Sequence, residues 1–409
     1  MRIKQSRGPI NRARFSTLWI GSTGGPSSAA VPWGGRILFL AAVFVTLGIG
    51  VDQPLLSLGY EAFVLLLAAL YCFLGPSSMP VIPALALMGI GLWGCGQLAA
   101  KATVYRFATV ETGLRDAALA ATAWVAFCSF RSRESRECFL RWFSWFGAFV
   151  AVSAVLGYFT SPGKILWIFP APYPDIWGCF PSRNNFAQFL ELAMPPTLWF
   201  ALRKPSSLYA ALAAAMLAGG LASASRAGAV VLVLEACTLL FLERKSAAAR
   251  RTALSFGVAT VFFAALPGVG ALAARFAAPD PFEARREITK STLEMIAARP
   301  WTGYGLGTFP QVYPQFATFD AGSVVDHAHN DWLEWTAEGG LVFGFLWLVL
   351  AAQAIVPARR CGWGIGVVGC FLHATVDYPL ARVGISAWTF ILLGMLAATQ
   401  LREVPLQKH

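Results

Sequence analysis

Two of the four histidines of this chain stand two residues apart, as His327 and His329, in a stretch that continues with Asn330, Glu334 and Glu338. An imidazole titrates near neutral pH, so a histidine beside carboxylates is suited to accept a proton from a hydroxyl group. If a helix begins near Asn330, its positive N-terminal end favours neutral His329, and both glutamates share one face. We predict His329 as a general base oriented by Glu334 or Glu338, with His327 and Asn330 contacting the substrate.

The same stretch has a structural alternative, in which the histidines are interfacial polar groups that satisfy the end of a loop and the glutamates cap neighbouring backbone. The composition of the whole chain bears on this choice. Of its 409 residues, 57% are hydrophobic and 13% are charged, and the mean hydropathy is +0.59. Such values are typical of integral membrane proteins, in which titratable groups at membrane depth are rare and usually functional.

The elements that must position these residues are membrane helices. About twelve apolar runs approach the length of a spanning helix, so we predict an all-α, polytopic membrane fold. The predicted order is a basic tail at 1–35, transmembrane helices one to nine within 36–274, a loop at 275–331, transmembrane helices ten to twelve within 332–401, and a tail at 402–409.

The basic residues predict the orientation of this fold. Most of the 32 Lys and Arg residues fall on one side when the N-terminus is placed in the cytoplasm, as the positive-inside rule requires. Both termini are then cytoplasmic, and the long loop faces outward. The net charge of +11 therefore reflects topology, and the lack of a basic soluble face excludes nucleic-acid binding. None of the eight cysteines forms a C-x-x-C pair, so neither zinc nor a disulfide framework is indicated.

The long loop itself is predicted to contain a surface helix. Asp280 and Pro281 fit a helix start, the helix continues from Phe282 to Ala298, and Pro300 ends it. Its polar side carries Arg285 and Arg286, which would lie at the height of the lipid headgroups. These cations are expected to bind phosphate, although a solvated helix face is the simpler alternative.

Further polar residues stand at the predicted membrane boundaries. Arg226 lies in SASRAG between two apolar runs, where a guanidinium is suited to bidentate phosphate binding, and ordinary snorkelling is the alternative. A polar cavity on the same side, or else structural pairing, is predicted for the polar residues of two further segments, namely Arg183, Asn184, Asn185, Gln188, Glu191, Asp377 and Arg382. The Gly303–Gly307 run lacks the strand of a dinucleotide site, so we predict a tight turn pressed against helices or a headgroup.

In combination, these segments resemble a known family. The strings are PSRNNFAQFLELAMP, SASRAG, RPWTGYGLGTF, HAHNDWLEWTAEGG and HATVDYPLAR. Together they are similar to the O-antigen ligase and O-antigen polymerase superfamily of bacterial envelope enzymes, over roughly residues 175–400. By motif match, the catalytic histidine of that family falls on His329, its helix-boundary arginine on Arg226, and the arginine that opens its loop helix on Arg285 or Arg286.

The resemblance implies a GT-C-like glycosyltransferase of the bacterial inner membrane with its active site in the periplasm. Its donor would be a glycan linked to undecaprenyl diphosphate, and its acceptor a lipid A core, a growing polysaccharide or a protein. Members are regarded as metal-independent, so no metal or other cofactor is expected. The alternative is a non-catalytic transporter or flippase of lipid-linked saccharide, and this class of protein predicts an architecture of two repeated halves.

Overall fold

The computed structural model describes residues 32–48, 54–74, 78–171, 176–267, 269–277, 283–319, 322 and 324–401. The first nine helices are α1 Pro32–Gly48, α2 Pro54–Leu74, α3 Val81–Ala99, α4 Arg106–Ser129, α5 Arg133–Thr160, α6 Arg183–Arg203, α7 Ser207–Ala222, α8 Arg226–Glu243 and α9 Ala247–Ala265. The others are α10 Gly270–Ala277, α11 Glu283–Ala298, α12 Phe309–Val312, α13 Asp331–Cys361, α14 Ile365–His373 and α15 Val383–Ala398. Short 3₁₀ turns cover Tyr313–Gln315 and Pro379–Ala381, and strands β1 Lys164–Ile165 and β2 Phe169–Pro170 form a small antiparallel pair.

The all-α prediction is confirmed. By length and composition, four helices in the described ranges could each cross a membrane, namely α2, α3, α5 and α13. The bent pair formed by α9 and α10 would be a fifth span. The count of about twelve spans and the GT-C-like arrangement stay predictions. Of the two tails, residues 1–31 and 402–409 lie outside the described residues.

The bundle is built around α6 and α15, which are surrounded by other helices. Every residue of α15 is buried, as is nearly all of α6. Trp388 at the centre of α15 stacks on Phe143 of α5, with ring centroids 4.3 Å apart, and meets the edge of Phe39 of α1. A helix that is hydrophobic all round belongs in a core, as α15 shows. The buried face of α6 also carries polar residues, among them Gln188 and Glu191.

Outer helices carry large apolar side chains on their exposed faces. Leu66 of α2, Leu85 of α3 and Val261 of α9 are each more than half exposed. Such a surface would be costly in water and is suited to lipid, where backbone hydrogen bonds are satisfied within each helix. The outward faces therefore fit the membrane protein predicted from composition.

Helix starts near the functional segments follow ordinary capping rules. Ser182 caps α6 by accepting from Asn185 N, Ser225 caps α8 by accepting from Gly228 N, and Asn330 caps α13 by accepting from Leu333 N. A short polar side chain at this position satisfies one of the free N–H groups of the first turn. The predicted helix start at Asn330 is therefore found, directly after His329.

The glycine-rich run packs against a break in α13. Gly340 leaves the helical conformation with φ 82°, and Leu341 N donates to Pro300 O at 2.7 Å. Beside the break, Gly305 N donates to Glu338 O at 2.9 Å. A Cβ atom on Gly303 would collide with the backbone of Glu338, so only glycine permits this approach. The prediction of a tight turn against helices is borne out here. The predicted surface helix is found as α11, while Asp280 to Phe282 lie outside the described residues.

Candidate functional site

The imidazole of His329 lies beside a buried carboxylate that comes from the far end of the chain. Its Nδ1 is 3.4 Å from Oδ1 of Asp377, which follows α14. The His329 side chain is 31% exposed, whereas that of Asp377 is 5% exposed. When the Nδ1–H group donates a hydrogen bond to this carboxylate, Nε2 carries no proton and can accept one. His329 also adopts φ 51°, a left-handed conformation that is uncommon outside glycine, so the surrounding contacts hold its backbone in place.

Asp377 is held by two side-chain donors from α6. Its Oδ2 accepts hydrogen bonds from Asn184 Nδ2 at 2.6 Å and from Gln188 Nε2 at 3.3 Å. Burial opposes ionisation, but the hydrogen bond from His329 and the charges of neighbouring His373 and Arg285 outweigh it and lower the pKa of Asp377. The group is therefore a carboxylate at neutral pH, with Oδ1 directed at His329.

A fully buried pair lies behind Asp377. His373, the last residue of α14, places its Nδ1 2.7 Å from Oε1 of Glu191 in α6. Its Nε2 is 4.0 Å from Oδ2 of Asp377. Both side chains are 0% exposed, and burial of titratable groups without water requires such mutual pairing. Glu191, His373, Asp377 and His329 thus form one continuous row from the bundle core to the site.

Cations approach the same centre from two sides. Arg285 of α11 donates from Nη1 to Val376 O at 2.8 Å, next to Asp377. Arg226 opens α8 and donates from Nη1 to Arg275 O at 3.3 Å. Its neighbour Ser225 donates to Asn184 Oδ1 at 2.9 Å, and Asn184 contacts Asp377. Arg286 is an exposed residue of α11, and of the adjacent pair it is Arg285 whose charge acts on Asp377.

His327 belongs to a separate pair. Its Nδ1 is 2.8 Å from Oε1 of Glu334, whose Oε2 accepts from Ala328 N at 2.7 Å. Burial opposes its protonation, but the Glu334 carboxylate outweighs burial and raises the pKa of His327. The ring of Tyr378 stacks on His327 at 4.1 Å and lies 5.2 Å from the ring of His329. The prediction that Glu334 orients the catalytic imidazole is therefore corrected, because Glu334 contacts the other histidine.

The prediction that Glu338 orients His329 is also corrected, whereas substrate contact by Asn330 stays a prediction. Both carboxylate oxygens of Glu338 accept backbone N–H groups, from Gly307 at 2.8 Å and from Phe309 at 2.9 Å. Asn330 uses Oδ1 for its cap and donates from Nδ2 to Thr375 O at 2.8 Å. Sharing a helical face does not bring these groups to His329. They anchor the loop and the helix start instead, which was the structural alternative.

The remaining predicted site residues lie around the centre and have different contacts. Asn185 donates to Gln188 Oε1 at 2.9 Å, and Gln188 in turn contacts Asp377, so Asn185 supports the site indirectly. Arg183 is the first residue of α6 and is partly buried. Arg382 lies 5.8 Å from the Tyr378 ring centroid and lines a separate cavity with His327.

Sequence reasoning gave Asp377 only a possible place at a polar cavity, and it left His373 out of the site. Both lie in the string HATVDYPLAR, four residues apart and close to Tyr378. A histidine and an aspartate spaced by four residues at the outer end of an apolar helix was the available signal. Among the described residues, no group of three His, Cys, Asp or Glu side chains has the arrangement of a metal site.

Comparison with known families agrees with the resemblance drawn from the motifs. Residues 211–348 match the family model Wzy_C, described as O-antigen ligase. The matched segment runs from α7 through the long loop into α13, and so includes Arg226, Arg285, His327 and His329. The resemblance to the O-antigen ligase and polymerase superfamily is therefore confirmed. No curated protein matches the sequence.

Proposed function

We propose that this protein transfers a glycan from undecaprenyl diphosphate to an acceptor hydroxyl at the periplasmic face of the bacterial inner membrane. The family match at 211–348 supports glycan transfer of the O-antigen ligase type. The donor is what the resemblance to the family implies, the orientation is inferred from the distribution of basic residues, and the roles of individual residues are inferred from the site's chemistry.

In the proposed reaction, the acceptor oxygen attacks the anomeric carbon of the donor sugar. The new C–O bond forms as the bond from that carbon to the diphosphate oxygen breaks, and the diphosphate departs with the bonding electron pair. Nε2 of His329 takes the acceptor proton, while the Nδ1–H group of His329 donates a hydrogen bond to Asp377, whose negative charge stabilises the imidazolium. General-base help of this kind contributes about 10²- to 10⁴-fold to a rate.

The departing diphosphate needs positive charge where its own charge develops. Arg285, whose charge also lowers the pKa of Asp377, and Arg226, which opens α8, supply guanidinium groups from two helices. Fixed cations at a site of low dielectric stabilise a developing anion more strongly than water does. The base and the cations that bind the diphosphate are therefore different residues.

The single observation that carries the proposal is the pairing of a partly exposed His329 with a buried, ionised Asp377, next to Arg285. A flippase has no need of a base oriented in this way. The test is reconstitution of the purified chain in liposomes with a radiolabelled undecaprenyl diphosphate glycan and a saccharide acceptor. Formation of a glycosylated acceptor without any second enzyme supports a transferase. Movement of the labelled lipid between leaflets without product would contradict the proposal and favour the transporter.

A further inference from the structure

A second polar site lies next to the proposed catalytic centre. A cavity of about 380 Å³ opens between α2, α4 and the start of α15, and its wall includes Asp326 and His327. Tyr378 contacts the rings of both histidines, but only His327 lines the cavity. The volume is within the range of small-molecule sites. The cavity and the His329 centre are therefore neighbours that meet at one tyrosine ring.

The most informative residue of this cavity is Glu61 of α2. It is only 7% exposed and lines the cavity wall. Among the described residues, no hydrogen bond or ion pair to its carboxylate is found, and Arg115, which lines the same wall, is not within ion-pair distance. A charge taken out of water is costly unless a partner replaces the lost hydration. A carboxylate left in this state at a cavity wall is poised to accept hydrogen bonds from a ligand.

The rest of the wall continues the same pattern. Glu111 and Asp326 add two exposed carboxylates. The buried Nε atoms of Arg115 and Arg382 have no hydrogen-bond partner in the ranges that the structure covers. The other two wall carboxylates, Glu334 and Glu338, are already bonded within the protein. Both carboxyl acceptors and guanidinium donors are thus present at the surface that a ligand would meet.

A ligand that matches this wall carries many hydroxyl donors and no negative charge. Sugar hydroxyls donate to carboxylates and accept from guanidinium N–H groups, and an amine on the sugar would add a charge-assisted hydrogen bond. The wall carries five acidic side chains against three basic ones, Arg115, Arg382 and His327, so a phosphate or a uronic acid would be disfavoured. The polarity is opposite to that of the Arg226 and Arg285 side, which suits an anionic diphosphate.

We propose that this cavity binds the acceptor saccharide, as a neutral or amine-bearing sugar, and presents its hydroxyl past Tyr378 to His329. The role of the bound sugar as the acceptor rests on the proposed glycan transfer. Binding of the sugar itself requires neither donor lipid nor turnover. Charge segregation on the two sides of Tyr378 would keep the two saccharide substrates in their own subsites.

The binding test uses the full chain in detergent and saturation-transfer NMR with glucosamine, glucose and glucuronic acid as probes. We expect glucosamine and glucose to bind, and glucuronic acid to bind at least about tenfold more weakly. Glu61→Gln should weaken glucosamine binding about fivefold or more, because it replaces one acceptor oxygen by an amide donor while keeping the side-chain volume. Asp326→Asn changes an exposed wall residue and should act in the same direction. Glu294→Gln, the same chemical change on the exposed face of α11, should have no effect.

Two kinds of result would overturn the assignment. Equal or tighter binding of glucuronic acid, no binding of any probe, or unchanged glucosamine binding in both variants would refute a saccharide cavity. In the transfer assay, Glu61→Gln should raise the KM for the acceptor and leave the KM for the donor lipid unchanged, and the reverse split would refute the acceptor role. Failure of the wild-type chain to transfer glycan would instead contradict the proposed function, and it is recognised separately because sugar binding is measured without donor.

Discussion

Replacement of Asp377 by Asn should disable the base without emptying the site. In the native protein, Oδ2 of Asp377 accepts from Asn184 and Gln188, whereas Oδ1 faces Nδ1 of His329. The amide oxygen of the new residue is expected to stay with those two donors. Its NH₂ group then faces His329 and donates to Nδ1, so the proton of the imidazole moves to Nε2. A protonated Nε2 cannot accept the proton of the acceptor hydroxyl.

The size of the effect follows from the geometry. At 3.4 Å, an imidazolium and a carboxylate attract by about 5 kcal/mol at an effective dielectric of about 20. Since 31% of the His329 side chain is exposed, solvent screening reduces this to about 2 to 3 kcal/mol. Each 1.4 kcal/mol corresponds to about tenfold in rate, so kcat should fall by about 100-fold.

The assay measures initial rates of glycan transfer in liposomes, together with the affinity for undecaprenyl diphosphate and the thermal stability of each variant in detergent. Asp377→Asn should lower kcat and leave the affinity for the lipid diphosphate nearly unchanged. Glu294→Gln on α11 serves as a control for the loss of one carboxylate charge. If Asp377→Asn kept more than about a third of the wild-type kcat while remaining folded, the orienting role of Asp377 would be refuted.

Three other predictions address the surrounding structure. Arg285→Ala should weaken binding of undecaprenyl diphosphate about tenfold and Arg286→Ala much less, and equal losses would show that the register is misassigned. The carboxylate partner of His327 raises the pKa of this histidine, so the pair stabilises the fold fully below about pH 6.5 and loses its contribution as the pH rises through the raised pKa. The melting temperature of His327→Ala should therefore lie below that of wild type in acid and converge with it in base. A difference that stays constant with pH would refute the pairing. Gly340→Ala should lower the melting temperature by several degrees, because φ of Gly340 is 82° and an added methyl group meets the loop backbone. Gly59→Ala is the control and should not lower it, because the space around Gly59 is open. Equal melting temperatures of the two variants would contradict the docking of the loop.

Short-range physics made part of the site predictable from sequence. An asparagine followed by a periodic apolar segment predicted the start of α13, and the structure has Asn330 as its cap. The composition and glycine spacing predicted the turn that packs against Gly340. These features depend on residues close together in the chain, so they could be derived without knowledge of the tertiary fold.

Long-range pairing made the rest unpredictable. Asp377 lies 48 positions after His329, and nothing in the local sequence distinguishes it from Glu334, which is only five positions away. Helical spacing placed Glu334 and Glu338 on one face but could not indicate that His327 and the backbone of Gly307 would bind them. The choice between Arg285 and Arg286 likewise depended on how α11 faces the centre. A resemblance of motifs identified the residue types, and the tertiary contacts assigned their partners.

Replacement of His329 tests the central claim most directly. His329→Ala is measured beside wild type in liposomes with labelled undecaprenyl diphosphate glycan and a saccharide acceptor, and donor binding is measured on the same preparations. Loss of the base should reduce transfer by at least about 100-fold, while the affinity for the lipid diphosphate stays within about threefold of wild type. A His329→Ala variant that inserts normally and transfers glycan at the wild-type rate would contradict the account.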